Sequence, residues 1–210
     1  MPNNIFTMES CHCKVSAMAD TYHHGDLRRA VLDRALQVIA GAGPEHLSLR
    51  GIAQDLGVSH TAPRHHFGSR DGVLTAIAIE GFDALSDALD TTSSRGGSLL
   101  DLGVAYVEFA VSHPAHFAVM FRPDLLLEDP ELTRAGERAF SKLRGGVGSL
   151  GEGATAADER AAVVAGWSLV HGLSTLALTG SLARAKVAPE SPEELADLAR
   201  RAAAMLYSGR

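Results

Sequence analysis

The chain has 210 residues, 46% of them hydrophobic, 21% charged and 5% aromatic, with 21 Gly, 8 Pro and 2 Cys. That composition supports one large domain or two small ones with a real core, and it excludes a wholly disordered chain, a collagen-like repeat and a disulfide scaffold. The formal charge of −6 argues, taken whole, against a polyanion partner, but it divides unevenly: residues 1–70 hold 7 Lys+Arg against 6 Asp+Glu and 7 of the 10 His, whereas residues 71–210 hold 12 against 19.

Residues 1–20 show no sustained periodicity and read as a disordered extension. They lack the long apolar run of a signal peptide and the Arg-rich pattern of a transit peptide. Both cysteines lie here. Cys11-His12-Cys13 lacks the known zinc spacings, so neither a metal site nor a cofactor is expected. Cysteine-free sequence beyond it fits a reducing, cytoplasmic setting.

From Gly25 the pattern is helical. Leu27, Ala30, Val31, Ala35, Val38 and Ile39 share one broad face over Asp26–Gly41. Further helices are predicted over Leu49–Leu56, His60–His66, Arg70–Asp90, Leu99–Ser112, Ala115–Arg122, Glu131–Leu150, Ala156–Leu182 and Pro192–Tyr207. Gly- and Pro-rich breaks separate them, the Gly151-Glu-Gly153 corner among them. No segment alternates like a strand, so an all-α fold of about nine helices is expected. Ala161–Gly180 carries no charge beyond His171 and has the length of a membrane span. Its Gly, Ser and Thr content favours a buried or subunit-interface helix instead.

The densest information lies between Leu47 and Leu74. Ser48 is a good N-cap, and Leu49, Ile52, Ala53 and Leu56 form one buried stripe. Gly57 sits where a positive φ would end that helix, and Ser59 is placed to cap the next one at once. Two short helices joined so tightly make a helix–turn–helix. In such a unit the second helix enters the major groove, with nearby groups on phosphates. Ser48, Arg50, Ser59, His60, Thr61, Arg64, His65 and Arg70 are therefore the candidate DNA-contacting residues. Arg64 suits a bidentate guanine or phosphate contact, and Arg70 with the following helix N-terminus suits a phosphate. A helical hairpin that serves packing alone is the alternative reading.

The motifs Ser48-Leu-Arg-Gly-Ile-Ala53, Gly57-Val-Ser59, His65-His66-Phe67 and Ser69-Arg70 resemble the DNA-binding domain of TetR-type bacterial transcription regulators. Trp167-Ser-Leu-Val-His171-Gly172 resembles the C-terminal domain of a subgroup marked by Trp, His and Gly. Arg64 departs from the Tyr usual in that family. The resemblance implies a helix–turn–helix domain over residues 21–68, a connecting helix over 69–91 and a ligand-binding and dimerisation domain over 92–210. It also implies a homodimer through the last two helices, and a repressor released from a palindromic double-stranded operator by a small effector.

In the C-terminal part, Tyr106, Phe109, Phe117, Met120, Phe121, Trp167, His171 and Ser174 fall on apolar stripes. They are either ordinary core or the lining of an effector pocket oriented by a few polar groups. His113 and His116 read as capping or surface residues. No catalytic motif competes: there is no G-x-S-x-G, no H-E-x-x-H and no P-loop, so no enzymatic activity is expected.

Overall fold

The computed structural model describes residues 24–147 and 155–207. The N-terminal extension and the corner around Gly151 lie outside the described residues. Among the described residues ten α-helices follow one another: α1 His24–Ala42, α2 Leu49–Asp55, α3 Ala62–Phe67, α4 Arg70–Ser94 and α5 Leu99–Ser112, then α6 Pro114–Met120, α7 Pro130–Val147, α8 Ala156–Leu178, α9 Ser181–Arg184 and α10 Pro192–Tyr207. No strand occurs among the described residues, so the fold is all-α.

Helix starts are set by local chemistry. The hydroxyls of Ser48 and Ser69 accept from the amides of Gly51 and Gly72, opening α2 and α4. Reciprocal capping boxes, Ser98 with Asp101 and Thr155 with Asp158, open α5 and α8. Pro114 takes the first position of α6, where its missing N–H costs nothing.

Two of the expected boundaries are corrected. The long helix expected over Ala156–Leu182 is broken after Leu178, because Gly180 adopts a left-handed φ of 67° and the chain restarts as the single turn α9. The helix expected from His60 starts instead at Ala62, and Ser59 does not cap it. Pro63 has no N–H to give to the Ser59 carbonyl four residues earlier. The Ala62 amide bonds Ser59 in a tighter turn, and the helical ladder begins with the His65 amide on Thr61.

Two apolar cores result. The head core joins Val31, Leu32, Ala35 and Ile39 of α1 with Ile52 of α2 and with Val73, Leu74, Ile77 and Ala78 from the first half of α4. The body core takes Phe82, Leu85 and Leu89 from the second half of α4, most of α5, and residues of α7, α8 and α10. Short α6 belongs to both: Ala115 and Val119 face the head, Phe117 and Met120 the body.

Polar contacts also tie the two halves. Arg29 of α1 bonds Glu80 of α4 at 3.0 Å, and Arg122 after α6 reaches Glu45 at 3.2 Å. The buried Thr75 hydroxyl donates to the Asp71 carbonyl and accepts from the Leu127 amide, pinning the loop after α6 to α4. His116 is not a surface residue as expected. It is half-buried, 4.0 Å from Glu80, because α6 lies directly on α4.

Helix α8 was expected to be a buried or subunit-interface helix; among the described residues only its Val170 and Ser174 are buried. Val164 is 58% exposed and Leu176 46%. Among the described residues its main contacts are with α5, α7, α9 and α10, and these leave Val164 and Leu176 uncovered. By length and composition α8 is the one described helix able to cross a membrane.

Candidate functional site

The head presents α3, the second helix of the helix–turn–helix, to solvent. The turn before it closes as a Schellman motif: the Val58 amide reaches the Ala53 carbonyl, the Gly57 amide reaches Gln54, and Gly57 supplies the required φ of 66°. Buried Pro63 roots α3 in the head, leaving His60, Thr61, Arg64 and His65 exposed. The expected contact residues fall into two sets. Ser48 is occupied as a cap, the Ser59 and Thr61 hydroxyls are 3.2 Å apart, and Arg70 gives its guanidinium to the Pro44 carbonyl at 2.8 Å and to Asp71 at 3.0 Å. Those groups position the head. Arg50, His60, Arg64 and His65 are presented outward.

Charge is distributed to match. Arg29 and Arg34 of α1 are paired with Asp33 and Asp55. Arg28, Arg50 and Arg64 form no ion pair among the described residues, so their positive charge is not neutralised locally. Arg28 is a candidate that sequence reasoning missed. It is exposed, and its guanidinium lies 5.4 Å from the centre of the Phe67 ring at the end of α3. The only signal in the sequence was a basic residue in the first turns of α1.

The second candidate site lies in the body. The expected aromatic residues do converge: His171 stands within 4.7–6.4 Å, ring to ring, of Phe121, Phe117, Trp167 and Tyr106. The Tyr106 hydroxyl is completely buried, 2.9 Å from His171 Nδ1, and accepts from Trp167 Nε1 at 3.3 Å. Burial pushes the Tyr106 phenol upward and the His171 imidazole downward, so both are held neutral. Phe109 is packed in the core against His113, and the Ser174 hydroxyl is spent on the Val170 carbonyl. Open space begins at the edges of the cluster. One groove of about 500 Å³ is bounded by Ile39 and Ala40 of α1, by Phe117, Ala118 and Phe121, and by His171 and Thr175 of α8. A second, more open hollow lies over Met120 and Phe82 beneath the segment from Pro123 through the first turn of α7. Among the described residues no group of three or more His, Cys, Asp or Glu is placed to hold a metal ion.

Residues 99–206 match a family model described as the tetracyclin repressor-like C-terminal domain. Over 156 residues the chain is 26% identical to the uncharacterized HTH-type transcriptional regulator Rv0681 of Mycobacterium tuberculosis, covering 73% of this chain and 71% of that protein. Among solved structures, a protein with unknown function from Rhodococcus sp. RHA1 aligns with a TM-score of 0.72 and 30% identity over 90% of this chain and 98% of its own. FadR from Bacillus subtilis, solved in complex with stearoyl-CoA, shares the fold at a TM-score of 0.62 and 15% identity, covering 87% and 98% of the two chains.

Proposed function

Because this chain belongs to the TetR family of DNA-binding transcription regulators, we propose that it is a homodimeric repressor that leaves a palindromic operator when a small effector binds its body. The family is one of regulators rather than enzymes. The observation that carries the reading is the head itself: a Gly57-cornered helix–turn–helix whose exposed Arg28, Arg50 and Arg64 are left without acidic partners among the described residues. Unneutralised arginines beside an exposed short helix supply the phosphate attraction and the bidentate donor that operator binding needs.

The dimer reading rests on α8 and α10. Val164 and Leu176 of α8 and Met205 of α10, which is 79% exposed, place apolar side chains in solvent on the two final long helices. Pairing with a second copy would bury them. A two-fold dimer would set its two α3 helices on half-sites about 34–36 Å apart, or a multiple of that. The protein would act in the cytoplasm, and its acidic body would be repelled by the phosphates, so that the head docks first.

The test is selection of bound duplexes from a random pool, followed by affinity measurements over a salt series. A palindromic preference is expected, and Arg64→Ala should weaken binding and lower the salt slope by about 1 if the residue contacts a phosphate. Equal affinity for the selected palindrome and a random duplex at physiological salt would refute the proposal. Ligand binding without any operator would point instead to a small-molecule sensor with a vestigial helix–turn–helix.

A further inference from the structure

The indole of Trp167 can only donate, and it gives its proton to the Tyr106 oxygen. The Tyr106 hydroxyl then has one proton of its own, and the remaining partner is His171 Nδ1 at 2.9 Å. Because this hydroxyl is fully buried, leaving its proton unused would carry the full desolvation penalty. The relay therefore runs in one direction, from Trp167 through Tyr106 to His171. An imidazole that accepts at Nδ1 and is neutral carries its proton at Nε2. That N–H has no protein partner among the described residues.

His171 spends Nδ1 inward, and its ring forms the inner wall of the groove between α1, α6 and α8. The other polar groups of the groove are committed. Thr175 and Thr179 donate to the carbonyls of His171 and Thr175. The guanidinium of Arg122 at the rim is shared between Glu45 and Asp124. What remains is apolar wall, one oriented N–H donor and no uncompensated charge.

We propose that this groove is the effector site and that it takes a neutral apolar molecule carrying one carbonyl oxygen, which accepts from His171 Nε2. The proposal deepens the regulator reading above and rests on it. It also specifies the transmission. Ile39 and Ala40 belong to α1, so an occupant touches the head directly as well as α8. Displacing α1 moves α3, with which it packs, without a signal having to pass along α4.

Trp167, the single tryptophan, is a built-in reporter. Decan-2-one and decanoate are titrated separately into the full chain without DNA, following Trp167 emission. Decan-2-one is expected to give a saturable change, and decanoate to bind at least several-fold more weakly, because no free cation receives it. His171→Phe keeps an aromatic ring but removes the donor, and should weaken ketone binding by about tenfold. Ala118→Phe, at an exposed position on the groove wall, should abolish binding while leaving both cores intact. That variant decides the matter if His171→Phe does not fold. No saturable response to the ketone up to its solubility limit, unchanged affinity in either folded variant, or decanoate binding as tightly as the ketone overturns the proposal. Operator affinity measured without ketone separates the two readings. Ketone binding with no operator preference defeats the regulator, and operator binding with no ketone site defeats the groove.

Discussion

Replacing Tyr106 by Phe would test whether the buried relay is a source of stability. The substitution removes one oxygen from a side chain that is fully buried, so it leaves almost no cavity and no new strain. Its whole effect falls on two neighbours: Trp167 Nε1 loses an acceptor at 3.3 Å and His171 Nδ1 loses a donor at 2.9 Å. Both neighbours are only partly buried, so each can recover some hydrogen bonding from water, which places the cost toward the low end of the usual range, at about 1–2 kcal/mol. For a chain of this size that corresponds to a loss of about 2–8 °C in Tm. Urea unfolding followed by far-ultraviolet circular dichroism would measure it. A cycle with Trp167→Phe should show a coupling energy of at least about 0.5 kcal/mol, as expected for residues that share a hydrogen bond. Unchanged stability in Tyr106→Phe, or additive single variants, would refute the directed relay.

Two glycines on α4 should both resist substitution, to different degrees. A Cβ on Gly72 would stand 1.9 Å from the backbone oxygen of Phe67, so Gly72→Ala should destabilise the head by about 2–3 kcal/mol or more. A Cβ on Gly81 would meet the Met120 sulfur at 2.6 Å and the His116 Cβ at 3.1 Å, side-chain atoms that can give way in part, so Gly81→Ala should cost less, about 1–2 kcal/mol by urea midpoint. Burial holds His116 and His171 below the ordinary histidine value of 6.5; His113, Glu80 and Arg29 surround the first, and Glu80 opposes the shift without reversing it. The unfolded chain therefore takes up protons first on acidification, so stability is fully present above about pH 6.5 and falls below it, and His116→Gln should flatten that slope in urea midpoints taken from pH 5 to 8. Asp101 is held down to about 2 by the Ser98 hydroxyl, by Arg200 and by the Ser98 amide. Its contribution is present above pH 3.8 and lost as pH falls toward 2; solvent screening limits it to under about 1 kcal/mol, and Asp101→Asn should remove it.

The helical order could be read from the chain because its signals are local: Ser48 and Ser98 cap, Gly57 reverses the chain, and apolar residues recur at helical spacing. The late start of α3 was also encoded, in the missing N–H of Pro63, but Ser59, standing as a cap directly after the Gly57 corner, placed the start at His60. Gly180 was masked because Leu178 and Leu182 keep helical spacing across Thr179, Gly180 and Ser181. Spacing put Trp167 and His171 on one face of a helix and Tyr106 on an apolar face of another, but that Tyr106 meets the other two is set by the packing of α5 on α8. Whether a member of that stripe meets packing or open space depends on elements distant in the chain: Phe109 is closed by His113, while Phe117 opens onto α1. Arg28 escaped notice for the same reason, since only the folded head brings it over Phe67.

The double allegiance of α6 makes head and body poor candidates for separate existence. Cleaving the chain after α4 would leave Val31, Leu74, Ile77 and Ala78 without the Ala115 and Val119 side chains that complete their core. An isolated head would thus expose an apolar scar and tend to self-associate. In the intact protein the same arrangement predicts one cooperative melting transition, with α6 amides exchanging at the rate of the most protected helices on either side. A short helix of seven residues would set the size of the folding unit.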